Sequence, residues 1–224
     1  MDRTALINAA ELLERHYGRR AELPPGEWSS LVRVVLERGG TTDPVRDWMW
    51  TEETPLRAAS ETAQQSGSRV EEIATAAGFK SAQTKVLPAL ARWWLQNFGD
   101  IQAEADFRTH SLETWQHGLR SIRGVNGELA DRILLVVGGL DVYPLDRGSQ
   151  RIAARHGWMD LSADHEEWQA FFVGGLRDSG AAISDLSRWN VRVGREFCGV
   201  QPKCEKCPLK PLLPPRGPVP LSEE

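Results

Sequence analysis

The chain has 224 residues and a mass of 25.0 kDa, with 41% hydrophobic and 26% charged side chains, a balance that excludes a disordered, collagen-like or coiled-coil protein. The apolar run Ile133 to Leu140 falls far short of the ~20 residues a membrane span needs, and the opening Met-Asp-Arg-Thr-Ala-Leu lacks the apolar core of a secretory signal, so a cytoplasmic location is expected. The net charge of −4 argues against a surface wholly built to clamp a polyanion, yet it averages an uneven distribution: residues 1–114 hold 13 basic and 17 acidic side chains, whereas residues 188–216 hold seven Lys or Arg against two Glu.

Apolar spacing is helical nearly throughout, and about ten helices joined by short loops are expected. Leu6, Ala9, Ala10 and Leu13 mark a first buried stripe, and Leu31, Val32, Val35 and Leu36 after Trp28 mark a second. Asp43-Pro44 and Thr54-Pro55 each read as an N-cap with proline at the first helical position, and Ser68 to Glu71 is spaced as a capping box. Gly39, Gly78 and Gly99 read as stops. Leu87, Leu90, Ala91, Trp94, Leu95 and Phe98 form a further stripe, begun late or kinked by Pro88. Trp28, Trp48, Trp94, Trp115 and Trp168 fall on apolar faces, so most tryptophans are expected in the core and not on stacked bases. The proline-rich stretch from Pro208 to Glu224 is expected to be extended or frayed.

Residues 122–134, Ile-Arg-Gly-Val-Asn-Gly-Glu-Leu-Ala-Asp-Arg-Ile-Leu, read as a tight turn between two helices, one over Ser111 to Leu119 and one over Leu129 to Val137 ended by Gly138-Gly139. Gly124 and Gly127 tolerate positive φ and Asn126 is the next most tolerant residue, so backbone amides can turn outward at a helix N-terminus, where they suit a phosphate. A glycine-containing hairpin is also an ordinary connector. Further on, Asp146 stands just before Arg147-Gly148-Ser149-Gln150-Arg151, the position of a helix N-cap. Its carboxylate also has the chemistry to stabilise positive charge at a sugar C1′ and to orient water. Cys198, Cys204 and Cys207, an odd number within ten residues, point to metal or cluster binding before disulfides.

These marks together resemble the helix-hairpin-helix DNA glycosylase superfamily that includes endonuclease III and the adenine glycosylase. Gly124, Val125 and Ala130 match the hairpin pattern, with Arg123 in place of its proline and Asn126 in place of its second glycine. Val142-Tyr143-Pro144-Leu145-Asp146 resembles the loop that leads to the family's catalytic aspartate, and Arg151 matches a family arginine. Gly194 to Cys198 and Cys204 to Pro208 resemble the approach to, and the centre of, the family's iron-sulfur loop. The match is best over roughly residues 110–210. Three departures stand out. Glu128 occupies the place of the lysine that attacks the sugar, and a carboxylate cannot form the imine of the strand-cutting lyase step. Leu213 stands where the fourth cysteine is expected, and Gly40 where a glutamine fills the hole left by a flipped base.

The resemblance implies an all-α, two-lobed glycosylase fold: a helical barrel over residues 24–139 that carries the helix-hairpin-helix (about 112–137), and a second lobe made of 1–23 and 140–224 with the aspartate loop and the cysteine loop (198–213). It implies a monofunctional glycosylase that hydrolyses the N-glycosidic bond of a flipped damaged or mispaired base in double-stranded DNA, acting as a monomer in the cytoplasm and on the nucleoid when bound. Asp146 stays ionised beneath the sugar. Glu128 reads either as an exposed first-turn acid favoured by the helix dipole or, if it faces Asp146 at about 4 Å, as the group that protonates or hydrogen-bonds the leaving base, since repulsion of roughly 4 kcal/mol would then keep one carboxyl protonated. Arg123, Gly124, Val125, Asn126, Gly127, Arg147, Arg151, Lys203 and Lys206 contact DNA, and Cys198, Cys204 and Cys207 hold a structural [4Fe–4S] cluster through three ligands, with zinc or an empty loop as alternatives. No histidine follows His165 to serve as a nearby fourth ligand. Two rival readings remain open: a catalytically silent DNA-binding protein on the same scaffold, and a zinc-bearing helical interaction module without DNA affinity.

Overall fold

A computed structural model describes residues 3–19, 22–37, 54–79, 82–99, 105–177 and 183–221. Among them the chain is all-α, with no strand beyond an isolated bridge between Cys198 and Pro202. In chain order the helices are α1 (Arg3–Tyr17), α2 (Trp28–Glu37), α3 (Ala59–Ala63), α4 (Gly67–Ala76), α5 (Leu87–Phe98), α6 (Leu112–Arg120), α7 (Gly127–Val136), α8 (Arg147–Arg155), α9 (His165–Leu176) and α10 (Ile183–Glu196). The chain divides into two compact units, Glu22–Leu140 and the pair Met1–Ala21 with Asp141–Glu224. No described helix is long and apolar enough to cross a membrane.

Unit Glu22–Leu140 holds α2 to α7 around an aromatic core. Trp93, Trp94, Phe98, Phe107 and Trp115 meet in tilted and edge-on contacts with ring centroids 4.9 to 6.3 Å apart, the geometry that ring quadrupoles favour. Two of the indoles are also satisfied: Trp115 Nε1 donates to the Phe107 carbonyl at 2.6 Å, and Trp28 Nε1 to the Leu56 carbonyl at 3.0 Å. Trp28, Trp94, Trp115 and Trp168 are buried as the spacing predicts, and Trp93 and Trp189 join them. Asp43-Pro44, Gly39 and Trp48 lie outside the described residues.

Two boundaries differ from the expectation. Thr54 does not cap a helix: it closes a turn, its Oγ1 accepting from Leu56 N–H at 3.4 Å, because Leu56 is drawn fully into the core, and α3 begins only at Ala59. Helix α4 starts before the expected Ser68–Glu71 box, since Ser66 is already extended and its hydroxyl accepts from the Arg69 amide. There Gly67 lies against the turn Ala82–Val86, and a Cβ on it would come 3.0 Å from the Lys85 carbonyl oxygen. Pro88 lies in the first turn of α5, where its missing N–H costs nothing.

In the other unit, α1 packs on α9 and α8 on α10. Leu6, Leu13, Ile152, Trp168, Phe172, Trp189 and Val193 fill the core. Helices α8 and α10 approach at Gly148 and Gly194, where a Cβ on Gly194 would lie 3.1 Å from the Gly148 Cα. The proline-rich tail is extended but pinned: Leu209 is fully buried, and the Val219 amide donates to the Arg155 carbonyl at 2.8 Å.

Candidate functional site

The hairpin at 121–127 is set by caps at both of its helices. Ser111 caps α6 through the Thr114 amide, and Asn126 caps α7 with Oδ1 accepting from the Leu129 amide at 3.0 Å. Helix α7 therefore opens at Gly127, two residues before the expected start. The amide of this first helical residue has no intrahelical acceptor and points outward from the positive end of the helix. Only Gly124 takes the left-handed conformation, at φ 99°. Asn126 is extended at φ −92°, so its contribution is the cap and not tolerance of positive φ, and Gly127 is an ordinary first helical residue. Val125 is buried as an anchor, while Arg123 is exposed and has no ion-pair partner among the described residues.

A residue that the sequence pattern did not single out locks the two helices together. Asp131, buried at 1% exposure, accepts from Gln116 Nε2 at 2.7 Å and from Arg120 Nη2 at 3.4 Å across the hairpin. The available signal was an acid at the centre of an apolar helical face. Glu128 follows Gly127 in the first turn of α7 and is not an exposed first-turn acid. Its Oε1 accepts from Arg132 Nε at 2.9 Å and lies 2.9 Å from Arg132 Nη2, with both side chains 13% exposed. Proton donation by Glu128 has to compete with that pair.

Asp146 is the N-cap of α8, its Oδ1 accepting from the Ser149 amide at 2.8 Å. Oδ2 has no hydrogen-bond partner among the described residues. A side chain at Gly148 would crowd it, since a Cβ there would lie 3.2 Å from Oδ2. One oxygen thus serves the helix and the other is kept clear. Arg147 is exposed and unpaired among the described residues. Arg151, expected on DNA, donates its Nε to the Cys198 carbonyl at 3.1 Å and so braces the cysteine loop.

Cys198, Cys204 and Cys207 line one narrow pocket, together with Arg155, His156, Lys210 and Leu213. None is in a disulfide. Arg155, one helical turn beyond Arg151, is 7% exposed and meets no carboxylate among the described residues. Its guanidinium donates to Cys198 Sγ at 3.3 Å, to the Gly199 carbonyl at 2.6 Å and to the Val200 carbonyl at 2.9 Å. Burial pushes the Cys198 thiol up, with Arg155 opposing, and pushes the Cys207 thiol up to about 11. The fold also brings His156 to the pocket, a residue that its sequence distance from the cysteines had hidden. Its Nδ1 lies 2.7 Å from the Ile152 carbonyl and its Nε2 3.3 Å from that of Leu209.

The pocket places the buried Arg155 guanidinium near three thiols, but the thiols do not meet as one ligand set. Leu213 supplies no fourth ligand, and among the described residues no group of three His, Cys, Asp or Glu is placed to hold a metal ion. Lys203 and Lys206 are exposed on the same loop without ion pairs among the described residues, whereas Lys210 pairs with Glu205 and Arg192 with Glu196. Gly40 lies outside the described residues.

No family profile matches the chain. A Methanocaldococcus jannaschii chain, MJ1434, assigned by name to the DNA repair glycosylases, is 26% identical over 144 residues, which is 63% of this chain and 64% of that one; the match thus spans less than two thirds of the relative. Among solved structures, a thermostable thymine-DNA glycosylase superposes with a TM-score of 0.63 at 14% identity over 94% of both chains. Endonuclease III in a non-covalent DNA complex gives 0.61 at 15% identity over 95% of both. The Helicobacter pylori 3-methyladenine DNA glycosylase bound to 1,N6-ethenoadenine gives 0.63 at 17% identity, over 88% of this chain and 98% of that one. With the capped hairpin and the aspartate at a helix start, the chain has the fold of the endonuclease III-like helix-hairpin-helix DNA glycosylases along nearly its whole length.

Proposed function

We propose that the protein is a monofunctional DNA glycosylase that hydrolyses the N-glycosidic bond of a damaged or mispaired base extruded from duplex DNA. The observation that carries the reading is Asp146: a carboxylate with Oδ1 fixed by the Ser149 amide and Oδ2 kept clear beside a glycine. An anchored anion beneath a sugar stabilises the positive charge that grows at C1′ as the base leaves, and its open oxygen can align the attacking water. Extrusion costs a few kcal/mol and least for a damaged or mismatched base, so selectivity begins before chemistry. The chain has no amine where the lyase step needs one, because Glu128 stands there.

The hairpin amides near Gly124 and Gly127, with Arg123, are proposed to hold one phosphate, and Arg147, Lys203 and Lys206 to meet others. Arg151 acts on DNA through the loop it braces. Cys198, Cys204 and Cys207 do not meet as the ligand set of a [4Fe–4S] cluster, so the bracing of the loop that carries the two lysines is assigned to Arg151 and Arg155. The protein acts as a monomer on double-stranded DNA. A second reading, a silent DNA-binding protein on the same scaffold, is favoured by one observation: Glu128 is held in an ion pair with Arg132 where the superfamily places a reacting amine.

Single-turnover base release from duplexes carrying alkylated, deaminated, oxidised and mismatched bases, with and without alkali, tests the reading beside Asp146→Asn and Glu128→Gln. The expected result is strand scission only after alkali and a loss of about 10³-fold or more in Asp146→Asn. Glu128→Gln slows release at every pH if Glu128 donates to the base, and leaves it unchanged if the Arg132 pair is its whole role. Scission without alkali would place the nucleophile elsewhere, and salt-sensitive binding without release would establish the silent reading.

A further inference from the structure

Asp146 ends a stretch without regular structure, residues 142–146, of which Val142, Tyr143 and Pro144 are buried. Buried irregular backbone must find hydrogen-bond partners outside a helix or sheet. Here one side chain supplies both. The Gln169 carboxamide on α9 accepts from the Tyr143 N–H through Oε1 at 2.8 Å and donates through Nε2 to the Tyr143 carbonyl at 2.7 Å, as a neighbouring strand would. The Tyr143 ring stacks on Phe172, one turn further along α9, at 3.9 Å and 8°. Its hydroxyl accepts from Asn190 Nδ2 on α10 at 2.9 Å and lies 2.9 Å from Ser149 Oγ. Ser149 is the residue whose amide holds Asp146 Oδ1.

These contacts close a ring around the carboxylate. Tyr143, three residues upstream of Asp146, is clamped to α9 by its backbone; through its hydroxyl it is tied to α10 and to Ser149, three residues downstream. Asn190 is 2% exposed and Ser149 1%, so water does not compete for these bonds. A plain helix start needs only the Ser149 amide on Asp146. The additional two-point clamp and the buried hydroxyl chain fix where the whole segment enters the helix, and hence where Oδ2 stands. We infer that Gln169 and Asn190 are positioning residues for Asp146, fixing its carboxylate through Tyr143 and Ser149 without themselves touching DNA. The inference rests on the glycosylase reading.

The test compares Gln169→Leu, which removes both arms of the clamp, with Gln169→Glu, which keeps the acceptor for the Tyr143 N–H and loses the donor. Base release is read in single turnover at saturating enzyme, duplex affinity by titration, and amide hydrogen exchange over residues 142–149 by mass spectrometry. Displacement of a reacting group by about 1 Å costs on the order of 100-fold, so Gln169→Leu is expected to slow release about 100-fold with affinity within about twofold of wild type. Gln169→Glu is expected to restore about a tenth of the wild-type rate, and exchange over the segment to quicken in the same order. If Gln169→Leu does not fold, Gln169→Glu and Asn190→Ser carry the same comparison. Release within about twofold of wild type in the folded variants, or a loss of affinity equal to the loss of rate, overturns the inference and leaves the glycosylase reading standing. A wild type that releases no base from any duplex sinks that reading and this inference with it, a result seen before any variant is made.

Discussion

The hairpin at 121–127 and the cysteine loop at 198–213 are both short basic turns, but they are held in opposite ways. The hairpin is stabilised by its own neighbours: Asn126 caps α7, Ser111 caps α6, and Asp131 reaches back to Gln116 and Arg120. The cysteine loop is held by α8, through Arg151, Arg155 and His156, from 43 to 53 residues away in sequence. A motif that contains its own restraints is portable and readable; one restrained from a distance depends on the rest of its unit. Substitutions at the restraints should therefore have unequal reach.

The largest effect is expected at Arg155. Replacing it with Leu strips the buried Cys198 Sγ and the partly buried Gly199 and Val200 carbonyls of their shared donor. Leaving such acceptors unpaired should cost about 3–5 kcal/mol, and urea denaturation read by tryptophan fluorescence measures it. If the loop were held chiefly by its own turns, the loss would stay below about 1 kcal/mol. At the hairpin, Asp131→Ala removes an acceptor shared by one neutral and one partly exposed charged donor, and a loss of about 2 kcal/mol is expected in the same assay. Equal losses at the two sites would erase the contrast between them.

The same contrast governs what the sequence disclosed. Burial of Leu6, Leu13, Leu31 and Leu36 follows from apolar spacing, and the cap at Asp146 from residue type at a helix start, because both are local consequences of helical geometry; Asn126, expected for its tolerance of positive φ, serves instead as a cap. The hairpin's position was legible, although its one positive φ falls on Gly124 alone and its helix begins at Gly127. The pairing of Glu128 with Arg132 is an i,i+4 relation that the sequence contains, and it sits at the position where the resemblance implies a reacting group. Arg155, His156, Gln169 and Asn190 were not legible. Each acts on a segment tens of residues away, and no period or spacing encodes which helix a loop will meet.

A smaller effect separates the hairpin's cap from its lock. Asn126→Ala leaves the Asp131 contacts in place and removes the acceptor for the Leu129 amide, for which about 1 kcal/mol is expected. The more telling readout is binding, since a frayed α7 start no longer presents the Gly127 amide in a fixed direction. Duplex affinity should weaken while its salt dependence stays as in wild type, because no cation has been removed. A reduced salt slope would mean that a basic side chain, and not the amides, had been displaced.

The smallest effect is a pH dependence carried by the cysteine loop's third tether. His156 is 8% exposed, with Nδ1 at the Ile152 carbonyl and Nε2 at the Leu209 carbonyl. A neutral ring has one N–H and can donate to only one of them; a protonated ring could serve both but must carry its charge into the pocket. Burial prevails, holding the imidazole below its ordinary value of 6.5 while the two carbonyls oppose the shift. Below about pH 6.5 the unfolded chain therefore binds a proton that the folded chain does not. The stability due to this group is present above that pH and is lost as pH falls toward the folded-state value, with a slope of at most about 1.4 kcal/mol per pH unit for one proton. Urea midpoints of wild type and His156→Gln at pH 7.5 and pH 5.5, values chosen to straddle the window at about one unit either side, measure the difference. The variant should lose less stability on acidification than the wild type. Parallel losses would assign the acid sensitivity to other groups and leave the loop tethered by its two arginines alone.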